Sequence, residues 1–138
     1  MDAVEVRRYD AYDAGEVLAL YRSVGWSAYY SQPEALERAF SASLCVIGAF
    51  VSGELVGLAR LVGDGVTAVF FQDILVKPAC QRRGIGTRLI AEAFRRFGHV
   101  RQFFLMTDDV PDTVGFYQAV GFTPVEKLHI RAFTKLRY

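Results

Sequence analysis

The chain is poor in cysteine. Cys45 and Cys80 are its two thiols, 35 positions apart. No Cys-x-x-Cys pair or Cys/His cluster accompanies them, which argues against a structural zinc site and a disulfide framework and for free thiols in a reducing compartment. An excess of one charge is also lacking. Sixteen Lys and Arg stand against fifteen Asp and Glu, for a formal net charge of +1. General binders of nucleic acid or membrane surfaces carry a basic excess, so neither partner is expected. Although 52% of the residues are hydrophobic, no apolar run approaches the ~20 residues that cross a bilayer. The opening Met1-Asp2-Ala3-Val4-Glu5 shows no basic segment followed by an apolar one, so no signal peptide is read and a cytoplasmic location is expected. Repeats, linkers and low-complexity tracts are missing as well. With 138 residues, one domain over 1–138 is expected.

What is present is a regular alternation of elements. Val4 to Tyr9 reads as a strand. Asp13 with Glu16 makes a capping box for a helix that Gly25 ends. Ser31-Gln32-Pro33-Glu34 is a second box, opening a helix to about Ala42. Three strands follow, Leu44–Val51, Glu54–Val62 and Val66–Val76, joined by two-residue turns at Ser52-Gly53 and Asp64-Gly65. From Ile85 the residues Leu89, Ile90, Ala93, Phe94 and Phe97 share one helical face. Arg101–Thr107 is then a strand, so strand–helix–strand predicts a right-handed parallel crossover. A helix from Asp112 or Thr113 to Val120 and a final strand, Lys127–Leu136, complete the pattern. The fold class is α/β (α+β): a mixed central sheet with an antiparallel meander followed by one βαβ crossover.

The segment that carries chemistry joins the third meander strand to the crossover helix: Gln81-Arg82-Arg83-Gly84-Ile85-Gly86-Thr87. Glycines at i and i+2 let the backbone turn its N–H groups outward, the helix N-terminus adds partial positive charge, and Thr87 adds a hydroxyl. That combination suits a phosphate or pyrophosphate. A dinucleotide fingerprint requires a third glycine where Leu89 stands, and a P-loop requires Gly-Lys-Ser/Thr, which does not occur. A helix cap without a ligand is the remaining alternative.

Gln81-x-x-Gly84-x-Gly86 resembles the (Gln/Arg)-x-x-Gly-x-(Gly/Ala) signature of the GNAT N-acetyltransferase superfamily. Gly115-Phe116-Tyr117-Gln118-Ala119-Val120-Gly121-Phe122 looks like the same superfamily's FYxxxGF helix, with Tyr117 31 residues on from Gly86. The order of elements agrees over nearly the whole chain. The resemblance implies a sheet splayed into a V between the meander's last strand and the strand after the crossover, with acetyl-CoA in the V and no metal. It implies that the backbones of Leu75 and Val76 pair with the pantetheine arm. It implies that the N–H groups of Gln81, Arg82, Arg83, Gly84, Ile85, Gly86 and Thr87 hold the pyrophosphate. A main-chain N–H near Val76 would polarise the thioester carbonyl, and Tyr117 would protonate the departing CoA thiolate. Many relatives carry asparagine seven residues before that tyrosine and alanine four before it. Here Val110 and Thr113 occupy those positions.

The amine must lose a proton. Asp73 is the candidate base, because it interrupts an apolar strand (Phe70, Phe71, Ile74, Leu75, Val76) where burial shifts a carboxyl toward useful basicity. The alternative is a structural carboxylate, or one that binds a substrate cation. Trp26, Tyr29 and Tyr30, between the first two helices, lie where the family shapes its acceptor pocket, and Asp108 is placed to attract a cationic amine. Asp109 shares that reading, a solvated loop being the alternative for both, and His129 lies in the last expected strand. The expected activity is acetyl-CoA-dependent transfer to a primary amine by direct attack on the thioester. The rival is a non-catalytic acyl-CoA sensor of the same fold. The acceptor is a small molecule or a protein amine, and a homodimer is open. Charge by segment agrees: Lys77 through Arg101 carries seven basic residues and one acid, +6, and the remainder is −5.

Overall fold

The computed structural model describes residues 2–137. The chain divides into two compact units, Met1–Met106 and Thr107–Tyr138.

The first unit is built on a five-stranded sheet in the order β1-β2-β3-β4-β5. The strands are β1 (Val4–Arg8), β2 (Cys45–Val51), β3 (Glu54–Gly63), β4 (Ala68–Val76) and β5 (Gln102–Leu105). The first three pairings are antiparallel and β4–β5 is parallel, as the meander and crossover require. Helix α1 (Ala14–Ser23) starts where the capping box puts it, with the Asp13 carboxylate accepting from the Glu16 N–H at 3.1 Å. A short helix α2 (Ser27–Tyr30) follows, too brief for sequence periodicity to reveal. Helix α3 (Pro33–Ala42) is capped at Gln32 rather than Ser31, and no side chain bonds across its start. The crossover helix is α4 (Ile85–Arg96).

The helices cover both faces of the sheet. Val17, Leu20 and Tyr21 of α1 and Leu36 and Phe40 of α3 form one buried cluster with Leu58 and Leu75. Gly57, next to Leu58, points the other way. A Cβ on it would lie 3.4 Å from Ile85 of α4. Phe71 packs edge-on against Phe94 of α4 at 6.1 Å.

The β3–β4 hairpin differs from the expected two-residue turn. β3 runs to Gly63 and β4 starts at Ala68. The Asp64 carboxylate organises the intervening loop, accepting from the N–H groups of Val66, Thr67 and Ala68 and from the Thr67 hydroxyl. Four donors on one carboxylate replace the ladder bonds a tight turn would have made.

The second unit contains α5 (Pro111–Ala119) and a 3₁₀ turn at Val125–Leu128. The strand expected over Lys127–Leu136 does not form. His129 takes a left-handed conformation at φ 57, and Ile130–Arg137 belong to no element. The segment has strand composition, but a strand exists through its ladder, and among the described residues Ile130–Arg137 enter none. Cys45 and Cys80 are free thiols. Among the described residues no helix is long and apolar enough to cross a membrane.

Candidate active site

The split in the sheet is visible in the register. β5 pairs with β4 from Ala68↔Gln102 to Phe71↔Leu105. β4 continues through Val76, so Gln72–Val76 have no ladder on that side among the described residues. Which groups this open edge offers follows from the antiparallel alternation. The Lys77 N–H donates to the Val56 carbonyl at 2.7 Å, so Gly57↔Val76, the next pair, is one whose polar groups point away from each other. The N–H and C=O of Val76, and by the same alternation those of Ile74, face the open edge. The side-chain amide of Gln81 donates to the Val76 carbonyl at 3.1 Å. That leaves the Val76 N–H as a donor directed into the split.

Leu75 is a correction. Its N–H and C=O are turned to Leu58 on β3, and its side chain is buried in the α1/α3 cluster. The open-edge backbone is that of Ile74 and Val76.

The glycine-containing turn leaves β4 through a 3₁₀ turn at Pro78–Cys80 and enters α4 at Gly84. Arg82 and Gly84 both take left-handed conformations, at φ 63 and φ 77. A side chain disfavours that region at Gly84, where glycine adopts it freely. Left-handed residues in close succession turn backbone N–H groups toward one concavity. The first-turn N–H groups of α4 have no intrahelical acceptor, and no side chain caps them. Gln81, Arg82, Arg83, Gly84 and Thr87 are exposed, Gly86 is half-buried, and Ile85 is buried against Gly57 as the anchor of the turn. The turn is a preformed anion site by geometry and dipole. Its cationic surroundings are narrower than the segment charge implies. Arg88 donates to the Val4 carbonyl at 2.8 Å and Lys77 pairs with Glu54 at 2.6 Å. Arg95 and Arg96 pair with Glu92. Arg82 and Arg83 are the exposed cations of the turn itself.

Asp73 is 2% exposed and forms an ion pair with Arg60, 5% exposed, at 2.7 Å. The same carboxylate oxygen accepts from the Tyr21 hydroxyl at 2.8 Å. Burial, followed by the charge of Asp73 and the hydrogen bond to it, pushes the Tyr21 phenol far above its usual range. A bulge sits beside the pair. Arg60 opposes Asp73 while Leu61 opposes Phe71, so Gln72 is the extra residue. The bulge turns Phe71 toward α4 and Asp73 toward α1, although both are buried.

Two of the aromatic residues expected at the acceptor side gather at this bulge, Tyr29 directly and Trp26 through it. Tyr29 receives a hydrogen bond from the Gln72 amide at 3.3 Å and packs on Tyr21 at 5.2 Å. Trp26 packs on Tyr21 and on Tyr29 at 6.0 and 6.1 Å. Tyr30 lies under the Arg22 guanidinium at 5.6 Å. All three rings are half-buried. Sequence reading missed Arg60, Tyr21, Gln72 and Ile74. Arg60 was detectable as a lone cation inside the apolar run of β3.

In the second unit, Tyr117 lies on α5, half-buried, with ring contacts to Phe116 at 5.1 Å and Phe122 at 6.0 Å. Burial pushes its phenol up, which keeps it protonated. Val110, where many relatives have asparagine, is the N-cap of α5 and makes no side-chain cap bond. Asp108 and Asp109 are exposed before α5, in a loop rather than at a strand end, since β5 stops at Leu105.

Comparisons with known proteins agree with this geometry. The model of the acetyltransferase (GNAT) family matches residues 12–122. Serotonin N-acetyltransferase 2, chloroplastic, of Oryza sativa subsp. japonica is 33% identical over 118 residues, covering 80% of this chain and 56% of that protein. This chain thus spans little more than half of that relative's length. The structure of a GNAT-family acetyltransferase from Streptococcus pneumoniae TIGR4 is 36% identical, covers 98% of both chains and superposes with a TM-score of 0.88. A structure of AAC(6')-Iy with the bisubstrate analogue CoA-S-monomethyl-acetylneamine shares the fold at 22% identity, with 99% of both chains covered and a TM-score of 0.75. With its meander, its crossover, its split edge and its glycine turn, the chain belongs to the GNAT acetyltransferase family.

Proposed function

We propose that the protein transfers the acetyl group of acetyl-CoA to a primary amine by direct attack of the amine on the thioester. The observation that carries this reading is the pairing of an unladdered β4 edge with a left-handed, uncapped turn into α4, five residues apart from Val76 to Gln81. The edge suits an extended amide-bearing arm and the turn suits the diphosphate that follows it. The family membership and the CoA-derived ligand of the AAC(6')-Iy structure support the choice of acetyl-CoA. One acetyltransferase domain over 1–138 is the accompanying proposal, supported by the end-to-end match to the pneumococcal protein.

In this mechanism the polar groups of Ile74, with the second lone pair of the Val76 carbonyl, bind the pantetheine arm as an added strand. The N–H groups from Gln81 to Thr87 bind the pyrophosphate, with Arg82 and Arg83 beside them. The Val76 N–H donates to the carbonyl oxygen as it gains negative charge. A single such donor is worth about 10²–10³ in rate. Tyr117 supplies the proton that the thiolate takes on leaving.

We assign Asp73 a positioning role in place of the base. Its carboxylate is committed to Arg60 and Tyr21, and the pair braces the bulge at Gln72, with Asp73 three residues before Val76 on the same strand. The amine proton then leaves to water. Trp26, Tyr29 and Tyr30 form the acceptor wall, and Asp108 is the proposed attraction for a cationic amine. An aromatic wall suits an amine borne on a flat or apolar body, which is compatible with the serotonin that the rice relative's name states.

The test is thiol release from acetyl-CoA across a panel of arylalkylamines, polyamines, aminoglycosides and peptide amines. Amine-dependent release supports the reading. CoA binding with no release across the panel supports the acyl-CoA sensor instead.

A further inference from the structure

We propose that Gln72 selects the acceptor amine, its exposed side-chain amide hydrogen-bonding a hydroxyl on the acceptor's flat body. The acceptor is the one assigned above to the wall of Trp26 and Tyr29, so Gln72 has this role only if that assignment holds. Every residue involved belongs to the first unit.

Gln72 is the extra residue of the β3–β4 bulge. It is also the first residue of β4 beyond the last rung with β5, Phe71↔Leu105. Bulges beside active sites re-aim side chains. Phe71 and Asp73 on either side of it are buried, and Gln72 is exposed. Its amide donates to the Tyr29 hydroxyl at 3.3 Å, and Tyr29 packs on Trp26. One polar side chain therefore joins the start of the open edge to the aromatic wall.

Which end of the amide faces Tyr29 is set from beneath. Burial pushes the Tyr29 phenol up, and the charge and hydrogen bonding of Asp73 add to that rise, against the Gln72 bond, which lowers it. The phenol keeps its proton, and a carboxylate accepts bonds without donating any, so the phenol hydrogen is directed to Asp73. The phenol oxygen is then an acceptor, and Gln72 must present N–H to it rather than C=O. Asp73 is paired with Arg60 at 2.7 Å. The buried ion pair thus fixes the sense of an exposed amide.

A primary amide has two N–H donors and one carbonyl. With one N–H on Tyr29, Gln72 has its carbonyl and its second N–H left. A hydroxyl complements that remainder, because it donates one bond and accepts another. An acceptor without the hydroxyl covers the amide and leaves it unpaired, which costs affinity. A site that bonds a substrate hydroxyl rejects the analogue lacking it on this ground.

The experiment compares amines that differ by one hydroxyl: phenethylamine with its meta- and para-hydroxy derivatives, and tryptamine with serotonin. For wild type, Gln72→Met and Tyr29→Phe, kcat/KM with acetyl-CoA and amine affinity for the CoA-loaded protein are measured. Comparing two amines on one variant cancels any loss of folded protein. The wild type is expected to favour the hydroxylated member of at least one pair by about tenfold. Gln72→Met keeps the length of the side chain and removes the amide, so the preference should fall to about twofold or less. Tyr29→Phe frees the amide to turn, and the preference should fall by about threefold. No preference in any pair, a preference that survives Gln72→Met, or one that survives intact in Tyr29→Phe overturns the proposal. Absence of thiol release with every amine overturns acetyl transfer instead, and the same ratios, taken from amine affinity, then decide for or against Gln72. Absence of amine binding overturns both.

Discussion

Arg60 and Asp73 face each other across the β3–β4 register as a buried ion pair at 2.7 Å, one residue from the bulge at Gln72. Neither charge has water to fall back on, so removing one partner leaves the other uncompensated. Arg60→Ala is expected to destabilise the protein by about 3–5 kcal/mol, while the double variant Arg60→Met/Asp73→Leu recovers most of that loss. Urea unfolding of the three proteins checks this. A loss below about 1 kcal/mol for Arg60→Ala would show that the pair is not a buried constraint.

The hydroxyl of Tyr21 completes the same group, donating to Asp73 at 2.8 Å. Tyr21→Phe keeps the ring packing on Trp26 and Tyr29 and removes one bond to a charged acceptor. The expected cost is about 1.5–3 kcal/mol of stability. If the pair positions the open edge, kcat falls with it and the KM for acetyl-CoA changes little, whereas a purely structural role leaves kcat at its wild-type value in the folded variant.

Asp64 gives the pH prediction. The Thr67 hydroxyl and the N–H groups of Val66, Ala68 and Thr67 hold its carboxyl well below the usual carboxylate range. A folded value below the unfolded one stabilises the fold above the unfolded pKa of about 3.9, and that contribution disappears as pH falls toward the folded value. The Tm advantage of the wild type over Asp64→Ala is therefore expected to be constant near neutrality and to shrink progressively below about pH 4. Parallel Tm curves across that range would contradict the turn's dependence on an ionised Asp64.

Gly84 holds φ 77 at the entrance to α4, and a Cβ there meets nothing within 4 Å. The strain of a side chain at Gly84 amounts to about 1 kcal/mol. A carboxylate there competes with a bound diphosphate for the same N–H groups. Gly84→Asp, and likewise Gly86→Asp, should fold and lose at least about 100-fold in CoA affinity by calorimetry. Unchanged affinity would remove the turn from the pyrophosphate site.

Much of this architecture was legible because the signals were local. Asp13 with Glu16, the Ser52-Gly53 turn and the apolar face of Ile85, Leu89, Ile90 and Ala93 each specify their element within a few residues. The glycine turn and its helix were legible for the same reason. What escaped depended on partners remote in sequence. Extending the hairpin register from Gly63↔Val69 without a bulge would set Arg60 opposite Gln72. The bulge moves it to Asp73, so the ion pair could not be read from spacing. Leu75 and Val76 look equivalent in sequence, and only the Lys77–Val56 bond decides which of them offers its backbone to the open edge. The strand expected at Lys127–Leu136 failed on the same ground: composition gives the tendency, and a ladder partner gives the strand.

Acetyl transfer with Tyr117 as the acid is the chemistry on which the rest depends. It is tested most directly by thiol release from acetyl-CoA with the best amine of the panel, comparing wild type with Tyr117→Phe at matched CoA occupancy. Amine-dependent release by the wild type is expected, with a fall in kcat of about 10²-fold or more in the variant and CoA affinity unchanged. Wild-type kcat in Tyr117→Phe, or no release by the wild type with CoA bound, would contradict it.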